Sequence, residues 1–168
     1  MLIIADALYK LDFTKLMAVY EEGNRENGEE FYPDLSPNEQ LLRSEQDFYA
    51  YLQTDFFAQP GDLYCIWEEN GSYVSALRLE SYQDGLLLEA LETRPECRRR
   101  GFAECLIRAV LDTLRPEKVY SHIGHRNTPS QAVHAACGFR KIADHARYVD
   151  GSVNNRCGTY LYELPKTK

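Results

Sequence analysis

The chain has 168 residues, of which 44% are hydrophobic and 27% are charged, and its formal net charge is −7. These values fit one globular domain spanning residues 1–168 and argue against nucleic-acid binding, which depends largely on neutralising phosphates with positive charge. The five cysteines form no Cys-x-x-Cys pair, and no apolar run approaches the length of a membrane span, so we expect reduced thiols, a cytoplasmic protein and no membrane partner.

The first predicted elements are a short strand and two helices. Leu2–Ala5 is an apolar strand candidate, and Asp12 can cap a helix whose apolar residues recur at helical spacing up to Tyr20. The polar, glycine-containing stretch 23–30 is predicted to be a loop. The segment Ser36-Pro37-Asn38-Glu39 has the capping-box pattern that starts a second helix.

The middle of the chain changes to short runs that are typical of strands. DLYCIWEE, SYVSALRLESY and LLLEALET are separated by the turn signals Asn70-Gly71 and Asp84-Gly85, which favour tight hairpins. We therefore predict three consecutive antiparallel strands, the third from Leu86 to Thr93. An amphipathic helix is predicted from Phe102 to Leu114.

The last third of the chain is predicted to alternate strands with one short helix. Lys118–Ile123 is a strand candidate, Thr128-Pro129-Ser130-Gln131 starts a helix that Gly138 ends, and two strands lie near 139–149 and 159–164. Strands interspersed with about four helices predict an α/β fold of the mixed α+β kind.

A basic turn precedes the third predicted helix, where three consecutive arginines (98–100) are followed by Gly101. The first N–H groups of a helix have no partner within it and attract anions, and a glycine lets a ligand approach the backbone closely. A diphosphate fits this turn better than a nucleic-acid backbone does, because the chain as a whole is acidic. A solvated basic face is the alternative interpretation.

Two motifs give the sequence a family resemblance. The pattern Arg98-x-x-Gly101-x-Ala103, preceded by Pro95-Glu96, resembles the main cofactor motif of the GNAT superfamily of acetyl-CoA-dependent N-acetyltransferases. Asn127 is followed by Gly138-Phe139 eleven residues later, as in many members of that family. His134 stands seven residues after Asn127, where those members usually have a tyrosine. The resemblance covers residues 62–164.

The resemblance implies a single-domain GNAT-like fold, in which a central, mostly antiparallel sheet is splayed between strands 4 and 5. It also implies that acetyl-CoA is the cosubstrate, with its pantetheine arm along the fourth strand and its diphosphate at the basic turn. The cofactor-binding residues that it implies are Leu91, Thr93, Arg98, Arg99, Arg100, Gly101, Phe102, Ala103, Asn127 and Ser130.

Two residues are candidates for acid–base chemistry. Regular alternation along the fourth strand would place Glu89 on the face of Leu91 and Thr93, with Glu92 opposite, so we expect Glu89 to be the base that deprotonates the acceptor amine. A solvated carboxylate is the alternative for Glu89. His134 is expected to project near the cofactor sulfur and to protonate the leaving thiolate, and a partly buried structural histidine is the alternative.

The acceptor is expected to be a primary amine of a small molecule or peptide. Nine acidic residues lie between Tyr20 and Ala50, against Arg25 and Arg43, and this charge would favour a cationic amine. The spacing of His122 and His125 gives too few ligands to predict a metal site. A non-catalytic acyl-CoA-binding module of the same fold is the alternative function. The oligomeric state stays open, with a homodimer among the alternatives.

Overall fold

The computed structural model describes residues 1–167. Within this range the strands are β1 (Leu2–Ala5), β2 (Leu63–Glu69), β3 (Ser72–Tyr82), β4 (Gly85–Thr93), β5 (Lys118–Gly124), β6 (Arg140–Ala143), β7 (Ala146–Arg147), β8 (Val153–Asn154) and β9 (Cys157–Glu163). The helices are α1 (Phe13–Phe31), α2 (Pro37–Tyr51), a π-helical turn (Leu52–Phe56), α3 (Phe102–Leu114) and α4 (Thr128–Ala136), with short 3-10 turns at Leu8–Lys10 and Pro95–Cys97.

The main sheet has the strand order β1-β2-β3-β4-β5-β9-β6. The β4–β5 pair is parallel, and the other pairs are antiparallel. The parallel ladder runs only from Leu86, opposite Val119, to Leu88, opposite Ser121, and in the described chain these strands have no paired residues beyond that point. The predicted mixed α/β fold, with a mostly antiparallel sheet splayed between β4 and β5, is therefore confirmed.

Helices cover both faces of the sheet. Leu106 and Ile107 of α3 pack with Leu77 and Leu79 of β3 in one apolar cluster. The cluster on the opposite face joins α1 and the π-helical turn to β2 and β3, and its members include Leu16, Tyr20, Leu52, Phe56, Tyr64 and Ile66. No helix within residues 1–167 is long and apolar enough to cross a membrane.

Two element predictions are wrong. Stretch 23–30 is the second half of α1, because Gly28 packs directly against α2: a Cβ there would lie 2.7 Å from the Gln40 carbonyl oxygen. The glycine therefore permits close helix contact instead of ending the helix. The single strand predicted near 139–149 is divided into β6 and β7, and β7 pairs with β8 in a separate two-stranded sheet.

Candidate active site

A cavity of about 600 Å³ lies where β4 and β5 diverge. Its walls come from the end of β4, the turn that follows, and the first turns of α3 and α4. The lining residues are Leu91, Glu92, Thr93, Cys97, Arg98, Arg99, Gly101, Phe102, Ala103, Glu104, Asn127, Pro129, Ser130 and Val133. All the predicted cofactor-binding residues except Arg100 are among them.

The start of α3 presents a series of free backbone donors to this cavity. The N–H groups of residues 99–104 have no hydrogen-bond partner in the described part of the chain. Left-handed backbone at Arg99 (φ 61°) and Gly101 (φ 80°) shapes the turn, and no side chain caps the helix. Free N–H groups at the positive end of the helix dipole make this turn suitable for an anion.

Two of the three arginine side chains at the turn contact the protein itself. Arg98 donates through Nε to the Thr93 carbonyl oxygen at 3.1 Å and through a terminal nitrogen to Glu92 at 3.0 Å, and it also pairs with Glu22 of α1. The Arg100 guanidinium lies over the Phe102 ring, 4.9 Å from its centroid. Arg98 thus holds the turn against β4 and α1, while the backbone supplies the groups that face the cavity.

Asn127 and Ser130 form the opposite wall through the cap of α4. The Asn127 side-chain oxygen accepts a hydrogen bond from the Ser130 N–H at 3.2 Å. This bond uses the side-chain carbonyl of Asn127, while its amide group has no partner within residues 1–167. The cap therefore orients an amide donor at the cavity wall.

The backbone of β4 faces the gap between the splayed strands. The Arg94 N–H donates to the Val74 carbonyl on the β3 side at 3.0 Å. Because backbone groups of successive strand residues point to opposite edges, those of Thr93 and Leu91 point towards β5. The Thr93 N–H donates to the Glu92 carboxylate at 3.2 Å and the Thr93 carbonyl accepts from Arg98, so Leu91 is the residue whose N–H and carbonyl face the open edge of β4.

Sequence comparison agrees with this architecture. Residues 25–139, more than half of the chain, match the model of the acetyltransferase (GNAT) family. The chain belongs to the GNAT acetyltransferase family. Enzymes of this family use acetyl-CoA as the acetyl donor. A comparison with curated protein sequences gives no match.

Solved structures show the same GNAT fold along nearly the whole chain. PaiA N-acetyltransferase from Thermoplasma acidophilum, solved with coenzyme A, is 12% identical with a TM-score of 0.62, covering 97% of this chain and 99% of that chain. Ribosomal-protein-S18-alanine N-acetyltransferase from Escherichia coli is 17% identical with a TM-score of 0.60, covering 100% of this chain and 97% of that chain. Spermidine N-acetyltransferase from Vibrio cholerae, solved with CoA and spermine, is 18% identical with a TM-score of 0.61, covering 97% of this chain and 95% of that chain. At these identities the likeness shows the fold alone.

A β-bulge in β4 changes which residues of this GNAT domain share a face. The register with β3 shifts so that Glu89 lies opposite Arg78 and Glu92 lies opposite Ala76, and the extra residue, Ala90, has φ 50°. The Tyr20 hydroxyl donates to the Ala90 carbonyl at 2.6 Å. Arg78 and Ala76 are two residues apart on β3, so Glu89 and Glu92 share the face covered by α1.

The bulge overturns the face predicted for Glu89. Regular alternation would place Glu89 with Leu91 and Thr93, but Thr93 lies opposite Ser75, on the other face from Arg78. The carboxylate of Glu89 lies 3.8 Å from the Arg78 guanidinium and is 26% exposed. Glu89 therefore faces the α1 side of the sheet, on the opposite face from the apolar cluster that contains Leu106 and Ile107 of α3.

The spacing from Asn127 predicts that His134 projects into the cavity, but its side chain is not part of the cavity lining. Its side chain is buried, with 1% exposure, against the Phe139 ring, and Nδ1 lies 2.8 Å from the Ser130 carbonyl oxygen. Burial lowers the pKa of His134, and the bond to Ser130 opposes this shift. Burial therefore favours the neutral form of the imidazole, and the side chain lies outside the cavity lining.

The burial of His134 predicts a specific pH dependence of stability. Its pKa is lowered in the folded state, whereas in the unfolded chain it is about 6.5. The unfolded chain then binds more protons below about pH 6.5, so the free energy of unfolding falls as the pH drops through that value. We expect His134→Asn to reduce this fall between about pH 7.5 and 5, measured by urea unfolding. Equal slopes for the two proteins would contradict the assignment.

The α1-side face of the sheet carries polar side chains outside the predicted site, among them Arg78 and His122. Arg78 and His122 lie on neighbouring parts of this face. The Nε of Arg78 and the Nε2 of His122 are buried and have no hydrogen-bond partner within residues 1–167. In the sequence, Arg78 is a charged residue at an inward-facing position of the apolar strand SYVSALRLESY, and this pattern could have indicated a functional role. His122 and His125 bond to different groups, the Thr159 hydroxyl and the Asp144 carbonyl.

Proposed function

We propose that residues 1–168 act as one N-acetyltransferase domain that moves an acetyl group from acetyl-CoA to a primary amine by direct attack. The observation that carries this proposal is the row of free N–H groups at residues 99–104, which opens into the gap between β4 and β5. A cytoplasmic location is part of the proposal and rests on the cysteine pattern of the sequence.

The residues of the cavity fit the parts of acetyl-CoA. A Cβ built on Gly101 meets no atom within 4 Å, so the turn leaves open space beside its donors for a diphosphate. When bound, acetyl-CoA supplies the acetyl group as a thioester. We assign the diphosphate to the backbone of residues 99–103, the pantetheine arm to the main chain of Leu91 with Thr93 beside it, and further contacts to Asn127 and Ser130. The guanidinium of Arg98 positions the turn.

Proton removal from the acceptor is assigned to Glu89. An alkylammonium with a pKa of about 10.4 is mostly protonated at neutral pH and cannot attack until it loses a proton. Glu89 lies beside the bulge on the α1 side, where it can take that proton directly or through a water. The amine nitrogen then bonds to the acetyl carbon as the carbon–sulfur bond breaks. The departing thiolate, with a thiol pKa of about 8.5, needs no acid from His134.

The acidic surface of α1 supports a preference for cationic amines. Glu26, Glu29 and Glu30 are exposed on the helix that borders the bulge. Changing these three residues to lysine is expected to raise the KM of a cationic amine several-fold at low salt, because the local potential changes sign. The affinity for acetyl-CoA should stay within about two-fold.

A control variant separates local charge from net charge. Reversing Asp112, Glu117 and Glu163, which are exposed elsewhere on the chain, changes the net charge equally and should leave the amine KM unaltered. Steady-state kinetics at low and high salt measure both effects. An unchanged KM in the α1 variant at low salt would contradict a role for this surface.

The proposed function is tested by release of the CoA thiol across a panel of primary amines, with acetyl-CoA binding followed by thermal shift. We expect acetyl-CoA to raise the unfolding temperature and at least one amine to trigger thiol release above the background hydrolysis. The alternative is a non-catalytic acyl-CoA-binding module. It predicts the same thermal shift without amine-dependent release.

A further inference from the structure

A row of polar groups crosses the sheet beside the bulge. Tyr64 of β2 lies directly opposite Arg78 of β3, which lies opposite Glu89 of β4, so the three side chains share the α1-side face. The Arg78 Nε is buried and has no hydrogen-bond partner among residues 1–167, and the buried Tyr64 hydroxyl has the Tyr20 hydroxyl as its neighbour. Buried polar groups are usually paired, so the unpaired guanidinium nitrogen indicates a missing ligand.

Arg78 is a buried cation with few partners of its own. Its side chain is 17% exposed, and its guanidinium lies over the rings of Tyr51 and Phe56 at 5.0 and 5.6 Å from their centroids. Its ion pair with Glu89 is long, at 3.8 Å, and no described group accepts a hydrogen bond from it. A guanidinium has five N–H donors in a planar fork, which matches a carboxylate.

Tyr64 supplies a second donor at the same place. Its side chain is fully buried, and burial raises its pKa well above the usual value, so the hydroxyl keeps its proton. The Tyr51 ring, which is 36% exposed, covers the guanidinium at the end of α2. A different rotamer of Tyr51 would uncover the Arg78 guanidinium to an entering ligand.

A second carboxyl group, that of Glu80, lies on the same face of β3 two residues after Arg78. Burial, and then the Glu89 carboxylate, raise the pKa of Glu80, while Arg78 opposes this shift. The bulge at Ala90 follows Glu89 directly, so Arg78 lies within roughly 10 Å of the point where β4 meets the acetyl group, by strand spacing.

We propose that Arg78, assisted by Tyr64, binds a carboxylate of the acceptor, so that the preferred substrates are amines that also carry a carboxylate, such as amino acids. This specificity rests on the proposed acetyl transfer. In this arrangement the carboxylate of a zwitterionic acceptor binds at Arg78, and its amine lies near Glu89 and the bulge.

The test compares amines that differ only in a carboxylate: phenylalanine with phenethylamine, lysine with cadaverine, and 5-aminopentanoate with butylamine. We expect kcat/KM to be about 10- to 100-fold higher for the carboxylate member of at least one pair, as a charge-assisted hydrogen bond predicts. Arg78→Met should bring that ratio close to one, and Tyr64→Phe should lower it by less.

Two controls keep the outcomes distinct. Arg140→Met, which removes an exposed arginine paired with Glu163, should retain the wild-type ratio, and unchanged acetyl-CoA affinity by calorimetry shows that Arg78→Met is folded. Equal rates for both members of every pair, or a preference that survives Arg78→Met, would overturn the carboxylate site while leaving the acetyltransferase function intact. Absence of acetylation with every amine would instead count against the proposed function.

Discussion

Replacement of Gly101 by valine is expected to abolish measurable acetyl-CoA binding while the protein stays folded. Gly101 has φ 80°, and the space around its Cα is open towards the cavity that we assign to the diphosphate. A branched side chain there would occupy that space and disfavour the left-handed backbone that aims the N–H groups of residues 99–104. Isothermal titration calorimetry with acetyl-CoA measures the loss.

A matched glycine controls for backbone strain. Gly61 also has a positive φ, 90°, with no atom within 4 Å of a Cβ, but it lies in the turn before β2. Gly61→Val should suffer a similar loss of stability and retain acetyl-CoA affinity. Gly101→Ala should weaken binding by an intermediate factor. A folded Gly101→Val protein with wild-type affinity would show that the diphosphate does not lie at this turn.

Replacement of Glu89 by glutamine is expected to lower kcat by about 10²- to 10⁴-fold, the range for loss of a positioned base. Acetyl-CoA affinity should be unchanged, because Glu89 is not part of the cavity lining. The deficit should shrink as the pH rises towards about 10, where the free amine becomes abundant without a base. A pH–rate profile of both proteins, with saturating acetyl-CoA, measures this.

Two further variants serve as controls for Glu89→Gln. Glu163→Gln changes an exposed carboxylate that pairs with Arg140 and should leave kcat unaltered. Glu92→Gln removes one of the two carboxylate partners of Arg98 and should mainly weaken acetyl-CoA binding, since that pair holds the turn against β4. Parallel pH–rate curves with equal kcat for wild type and Glu89→Gln would exclude Glu89 as the base.

Local backbone chemistry explains why the sequence predicts much of this fold. The Asn70-Gly71 turn joins β2 and β3 as predicted, with a positive φ at both residues, because residues that tolerate a positive φ favour tight hairpins. The hairpin between β3 and β4 also forms, but its turn is Gln83-Asp84 with the positive φ at Gln83. Gly85 is the first residue of β4, where a Cβ would lie 2.5 Å from the Lys118 carbonyl oxygen. The capping box at Ser36 likewise forms, with Glu39 bonded back to the Ser36 N–H. These signals act within a few residues and need no tertiary context.

The wrong predictions involve contacts that are distant in sequence. Gly28 remains helical because α2 packs against it, and Ala90 takes a positive φ in a bulge whose carbonyl is bonded to Tyr20, 70 residues away. Neither partner can be identified from the glycine or alanine itself. Spacing from Asn127 places His134 on α4 but does not say which side of the short helix is buried, and the packing against Phe139 decides that.

Direct transfer is the central claim, and it is tested by mass spectrometry with acetyl-CoA labelled in the acetyl group. The protein is incubated with the best amine, and the reaction is stopped within one turnover. We predict labelled N-acetylamine in an amount equal to the free CoA formed, with the protein itself unlabelled, including Cys97 at the cavity wall. Labelled protein that forms before the product, or CoA released without N-acetylamine, would contradict direct transfer to the amine.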